Sequence, residues 1–242
     1  MTVVEHLSEL RRRLIICAVA FVLISVVAFF FFDPILKFLL RPLCGIDPDR
    51  LGPQGCKLIA QSPMEPFFTR LKVTAMVGFL VSSPVWLYQL WAFIVPGLNE
   101  RERRYGMPFV VSSVALFALG STAAYFLLPK GLDLLVSFGG DELVPFFRAQ
   151  EYLNFVGLTF IAFGVMFEVP LVLLFLGLAG ILSAEQLRRH RKAAFMGIVL
   201  LSAVATPSQD PYTMLGLALP IYALYELVAV ILKRVEKRRA RA

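Results

Sequence analysis

Leu14-Ile-Ile-Cys-Ala-Val-Ala-Phe-Val-Leu-Ile-Ser-Val-Val-Ala-Phe-Phe-Phe-Phe32 is a run of 19 residues without a charge. At 1.5 Å per residue it spans about 28 Å as a helix, the thickness of a bilayer's hydrocarbon core. Three arginines (Arg11, Arg12, Arg13) precede it and Asp33-Pro34 ends it. A cleavable secretory signal is excluded by the length of the run and by its Phe-Phe-Phe-Phe-Asp-Pro end, which offers no small-residue cleavage site. Upstream, Val3, Leu7, Leu10 and Leu14 share one helical face, and Thr2 with Glu5 forms a capping box. Residues 1–13 therefore read as a short amphipathic helix at the membrane surface.

The rest of the 242-residue chain repeats the pattern. Its apolar fraction is 58%, its charged fraction only 17%, and its mean hydropathy +0.75. A soluble domain carries about a quarter of its residues charged. Continuous apolar runs in lipid must satisfy their backbone internally, and the absence of polar alternation selects helices over a barrel. The expectation is an all-α membrane protein, a single integral domain over residues 1–242. It has six transmembrane helices at about 14–32, 67–95, 106–128, 153–179, 193–206 and 212–232. Pro84 predicts a kink in the second and Pro220 an interruption in the sixth. The fifth, only 14 residues, is shorter than the bilayer and implies thinning, tilting or oligomerisation. The stretch 33–66 reads as an ordered external loop and 129–152 as a mixed loop with a short helix. Arg70 and Lys72, at the start of the second span, are expected to snorkel.

Sixteen lysines and arginines fall on the side of the N-terminus, the second and fourth loops and the tail, against six on the other. The positive-inside rule puts the sixteen in the cytoplasm, so both termini face inward. The net charge of +7 is thereby accounted for, and nucleic acid is not a partner.

Enzyme readings fail one after another. The only histidines are His6 and His190, so there is no H-E-x-x-H zinc site. No Walker loop occurs, and Gly139-Gly-Asp-Glu-Leu143 lies in a loop too short to house a cyclase domain. No catalytic constellation, metal or cofactor is called for. Cys17 is a packing residue inside the first span. Cys44 and Cys56 share an external loop, where an oxidising compartment favours a disulfide over two free thiols.

Four features remain. Glu9, in Glu5-His-Leu-Ser-Glu-Leu-Arg-Arg-Arg13, and Glu102, in Asn99-Glu-Arg-Glu-Arg-Arg104, are cytoplasmic carboxylates among arginines. Surface pairing such as Glu9 with Arg13 at i+4 would explain both without function. Glu168 lies about fifteen residues into a span, where a carboxyl is costly and a functional reading is the default. Its bland alternative is a hydrogen-bonded glutamate that orients helices. Glu226 sits near the cytoplasmic end, within reach of the basic tail. The short fifth and sixth spans are the fourth feature. A secondary transporter built on Glu168 would require an internal repeat, and none is visible.

Seven stretches, covering about residues 3 to 232, carry a resemblance. They are E-H-L-S-E-L-R-R-R-L (5–14), S-P-M-E-P-F-F-T-R-L-K (62–72) and S-P-V-W-L-Y-Q-L-W-A-F-I-V-P-G-L (83–98). E-R-R (102–104), F-G-V-M-F-E-V-P (163–170), Thr206-Pro207 and L-P-I-Y-A-L-Y-E-L (219–227) complete the series. In this order the chain resembles the TatC family, the receptor core of the twin-arginine protein translocase of the bacterial inner membrane. The resemblance implies a concave six-helix bundle that binds twin-arginine signal peptides of folded cargo at its cytoplasmic face. TatB- and TatA-type single-span subunits would be partners, with homo-oligomers within the complex and the proton gradient as energy source. It implies that Glu9 and Glu102 hold the paired arginines, with Arg11, Phe93 and Arg104 at the same site. Glu168 would be the polar residue of the concave face, and Pro42 and Asp210 would be sensitive positions on the periplasmic side. The turn T-P-S-Q-D is one residue longer than the family's common T-P-P-D, and the Cys44/Cys56 loop and short tail also depart from some relatives.

Overall fold

Phe31, a single residue outside helical bonding, separates two helices where the charged-to-apolar N-terminal sequence runs into Asp33-Pro34. The computed structural model describes residues 3–46, 55–94, 106–139, 146–207 and 210–239. Ten helices account for nearly all of them: α1 (Val3–Phe30), α2 (Phe32–Cys44), α3 (Glu65–Val81), α4 (Ser83–Ile94), α5 (Gly106–Ser137), α6 (Ala149–Met166), α7 (Glu168–Leu178), α8 (Ala184–Arg189), α9 (Arg191–Ala205) and α10 (Pro211–Arg239). Among the described residues the only pairing of β type is an isolated bridge between Ile59 and Arg148.

Among the described residues four helical stretches are long and apolar enough to cross a bilayer: His6–Phe30, Gly106–Ser137, Ala149–Leu178 (α6 and α7 together) and Pro211–Arg238. The pair α3 and α4, bent by 51°, is long and apolar enough only when taken together, as one broken span or a re-entrant loop. The remaining apolar helix, α9, has 15 residues and is about 22 Å long.

Several boundaries differ from the sequence reading, each for a local reason. Residues 3–13 form no separate surface helix, because from Val3 to Phe30 nothing breaks the chain and the charged segment is simply the first turns of α1; Thr2 of the expected capping box lies outside the described residues. The supposed loop after the first span begins instead with α2. Its Leu36, Leu39, Leu40 and Leu43 recur at helical spacing and pack into the core, Pro34 sits harmlessly in the first turn, and Pro42 falls in the last. Helix α5 runs nine residues past Leu128, through Pro129. A proline there costs about 3 kcal/mol, but Leu128 and Leu132 continue one buried stripe against Leu43 and Tyr152, which offsets it. Helix α10 passes Pro220 and continues through the basic tail. Leu232 packs against Gly177, Glu236 accepts the Ala184 N–H at 2.8 Å, and lysines and arginines suit a helix C-terminus.

The kink expected at Pro84 is present, and side chains cover it. The Phe79 carbonyl accepts from Ser82 Oγ and from Trp86 Nε1, both at 3.2 Å. A second break separates α6 from α7 at Phe167, three residues before Pro170. Helix α7 ends in a left-handed Gly180 (φ 76°), with the Ile181 N–H on the Leu176 carbonyl at 3.0 Å and Gly180 N–H on Gly177 at 3.1 Å.

Lipid tails are as apolar as leucine, so close approach rather than hydrophobicity must hold such helices together. Helices α1 and α3 meet where a Cβ on Gly78 would lie 2.0 Å from Ser25 Oγ. Helices α5 and α6 meet where one on Gly164 would lie 2.6 Å from the Phe117 ring. Phe117, Phe163 and Phe167 are fully buried at that contact.

Candidate functional site

At the end of the bundle that carries the N-terminus, α1 presents His6, Glu9 and Arg13 on one face, since i, i+3 and i+7 align on a helix. The bend at Ser82 swings α4 across this face, so that Gln89 and Phe93, one turn apart, look back at it. The His6 ring stacks on Phe93 with centroids 4.4 Å apart and planes at 19°. Between the two helices lies a small polar network. Arg13 donates through Nε (3.1 Å) and Nη2 (2.5 Å) to Glu9 Oε1, and through Nη1 (3.0 Å) to Gln89 Oε1. The Glu9 and Arg13 side chains are 26% and 21% exposed, half-sunk in the seam between the helices.

Helix α4 ends at Ile94 and α5 begins at Gly106; the segment 95–105 between them contains Glu102 and Arg104. Both lie outside the described residues. Arg11 is exposed on α1. Thus Glu9 and Phe93, 84 positions apart, belong to one cluster. His6 and Gln89 join it although the sequence reading did not single them out. The signal was available: Gln89 is one helical turn from Phe93, and His6 one turn from Glu9.

Glu168 stands apart from that cluster. It opens α7 about 15 Å along the helix from Leu178, and its Oε2 accepts from Ser113 Oγ of α5 at 2.6 Å. Its Oε1 is buried, with no hydrogen-bond partner among the described residues. One and two turns further along α7, Leu171 and Phe175 pack with Phe109 and Trp91, so α4 touches the Glu9 seam on one side and the Glu168 wall on the other. Glu226 pairs with Arg191 at 2.7 Å and accepts from the Tyr222 hydroxyl at 3.1 Å. Its partner is therefore the first residue of α9 rather than the tail.

The opposite end gathers the other residues. Cys44 and Cys56 are joined, with Cα atoms 5.0 Å apart. Pro42 is buried in the last turn of α2. Asp210 is buried as the N-cap of α10: Oδ1 accepts the Thr213 N–H at 2.8 Å and Oδ2 the Thr213 hydroxyl. Two further charged residues act here, one that the sequence reading passed over and one that it assigned otherwise. Glu65, the first residue of α3, is buried and accepts the Gln61 N–H at 2.6 Å, tying the segment after Cys56 to the membrane helices. Arg70 does not snorkel; it reaches inward to the Phe29 carbonyl at 2.9 Å.

An apolar groove of about 670 Å³ opens between α2, α3, α5 and α6, lined by Phe38, Val77, Tyr125 and Phe126 among others. A second cleft of about 530 Å³ between α8 and the end of α10 is ringed by Arg188, Arg189, Arg191 and Lys233, with Glu185 and Glu236. Among the described residues no group of histidine, cysteine and acidic side chains has the arrangement of a metal site.

Comparison with known proteins bears on this arrangement. The family model described as Sec-independent protein translocase protein (TatC) matches residues 5–220. A TatC protein of Frankia casuarinae is 44% identical over 237 residues, covering 96% of this chain and 65% of the relative. That of Aquifex aeolicus is 37% identical over 99% of this chain and 97% of its own, and that of Escherichia coli K12 38% over 93% and 85%. The chain thus spans about two thirds of the Frankia protein, and 63% of a Corynebacterium kroppenstedtii relative. A crystal structure of the twin-arginine translocase receptor TatC superposes with a TM-score of 0.77 at 38% identity, covering 93% of this chain and 98% of that one. A second, with TM-score 0.76 and 37% identity, covers 95% and 98%.

Proposed function

The chain belongs to the TatC family, and from that premise we propose that it is the core receptor of a twin-arginine protein translocase. It binds twin-arginine signal peptides of folded precursors and nucleates the export complex. In this reading it is one integral domain in a bacterial inner membrane, crossing six times with α9 as the short fifth crossing. The basic clusters and both termini face the cytoplasm, as the charge bias favours. TatB- and TatA-type subunits and further copies of the chain are its partners in the membrane.

The observation that carries the reading is the state of Glu9. Its carboxylate already holds a guanidinium and sits half-buried at a seam of two helices. A guanidinium offers a planar fork to a carboxylate, whereas an ammonium is a compact point charge. Two carboxylates in such a setting distinguish paired arginines from paired lysines, each charge-assisted bond contributing about 1.5–3 kcal/mol. Glu9 and Glu102 are assigned to the arginines, and Arg11, Phe93 and Arg104 to the border of the site. Glu168 is the polar group of the concave face, and Pro42 and Asp210 shape the periplasmic end.

The test is binding of a fluorescent twin-arginine signal peptide to the purified full chain in detergent, beside a twin-lysine peptide. Glu9→Ala and Glu102→Ala should each weaken the twin-arginine peptide by about tenfold or more. Equal affinity for both peptides, untouched by either substitution, would remove the site assignment.

A further inference from the structure

Glu9 does not wait empty for its ligand. Its Oε1 takes two N–H groups from Arg13, while no hydrogen bond among the described residues reaches Oε2. The third arm of the same guanidinium is fixed across the seam on Gln89 of α4. The chain therefore supplies its own arginine to the carboxylate assigned to a signal arginine, with both N–H groups on one oxygen. Resting on that assignment, we propose that Arg13 is a built-in occupant of the Glu9 site, which an incoming arginine must displace, with Gln89 retaining the released side chain.

The chemistry favours exchange over a permanent lock. Glutamate four residues ahead of its basic partner is the better-placed order for a helical pair, yet such pairs at partial exposure are weak. An arriving guanidinium can make first contact at Oε2, then take Oε1 as Arg13 swings towards Gln89. A neighbouring arginine then leaves a cation near a dicationic ligand, which raises the threshold for any weakly held peptide. Arg13 thus sets absolute affinity, acting through Glu9 rather than touching the ligand's fork. A purely structural Arg13, by contrast, would hold Glu9 in place, and its loss would weaken binding. The two roles predict opposite signs.

The experiment measures twin-arginine peptide affinity for the full chain in four forms: wild type, Arg13→Gln, Arg13→Lys and Glu9→Gln. The Arg13→Gln side chain, two heavy atoms shorter and uncharged, cannot occupy Glu9 as a cation. It should bind about two- to fivefold tighter than wild type. Arg13→Lys, a single point contact, should fall between. The ¹⁵Nε resonance of Arg13 should shift when peptide is added to the wild type. Unchanged or weaker binding by both Arg13 variants, with wild-type binding still dependent on Glu9, would overturn this inference alone. Wild-type binding indifferent to Glu9→Gln would overturn the receptor assignment of Glu9, and this inference with it.

Discussion

Arg70 of α3 donates from Nη2 to the Phe29 carbonyl at 2.9 Å and lays its guanidinium 4.4 Å above the Phe29 ring and 5.0 Å from that of Phe32. One side chain thereby caps the C-terminal end of α1, where carbonyls lack helical partners, and clamps the turn into α2. Position 70 is consequently a joint between three helices rather than a charge seeking water. Arg70→Leu should destabilise the purified protein by about 2–4 kcal/mol, from a lost charge-assisted hydrogen bond and a lost cation–π contact. Arg70→Lys should recover only part, because an ammonium cannot bond the carbonyl and cover both rings together. Thermal denaturation in detergent checks both; equal melting temperatures for Lys and wild type would contradict the clamp.

Asp210 invites a similar test at the start of α10. It accepts the N–H three residues on, and Pro211 follows at the position where a helix tolerates proline best. Asp210→Ala should cost about 1–2 kcal/mol and speed amide exchange in the first turn of α10. Asp210→Asn, which keeps an acceptor for that N–H, should lose clearly less. The cap packs against α5, where a Cβ on Gly131 would come within 2.6 Å of the Thr213 methyl. Gly131→Val should therefore disturb the same exchange signals as Asp210→Ala.

The Cys44–Cys56 bridge closes a separation of 12 residues at the end of α2. Loop entropy for so short a segment amounts to about 3 kcal/mol. Reductant, or Cys44→Ser, should lower the melting temperature of the isolated protein, and in the wild type both positions should be open to alkylation in the reduced sample only. Labelling of both without reductant would show that the bridge does not form in the membrane.

The extent to which these features could be read in advance follows from their range. Apolar runs and basic clusters are properties of single segments, so the helical class and the kink at Pro84 were legible. The seam between α1 and α4 was half legible: Glu9 and Phe93 stood out by resemblance, but the stacking of His6 and the bond from Arg13 to Gln89 depend on a bend that brings residues 76 positions apart together. Helix α2 was hidden because its prolines read as loop punctuation, although Pro34 sits in its first turn, where it costs little, and the helix runs on through Pro42. Arg70 was misread because snorkelling is the default for a basic residue near a helix end, and only the position of Phe29 on another helix reverses it. Glu226 found Arg191 rather than the tail for the same reason, since the fold, not proximity in sequence, chose the partner.

Glu168 gives the sharpest separation of charge from shape. Its Oε2 has one hydroxyl partner, Ser113, and its Oε1 is buried with none among the described residues. A carboxylate in that position carries a desolvation cost that a single neutral hydrogen bond does not repay. Glu168→Gln preserves the size, still accepts from Ser113, and removes the charge; it should leave the melting temperature unchanged or raise it. Glu168→Ala opens a void beside Ser113 and strands its hydroxyl, and should cost about 2–4 kcal/mol. Glu168→Lys places an ammonium against the same hydroxyl and should be worse than Ala. If Gln proved as damaging to stability as Ala, the negative charge itself would be holding the helices together. A cationic partner outside the described residues would then have to be sought for it. A Gln variant that is stable yet inactive in export would instead confine the role of the charge to function, and leave the packing of α5 on α7 to shape alone.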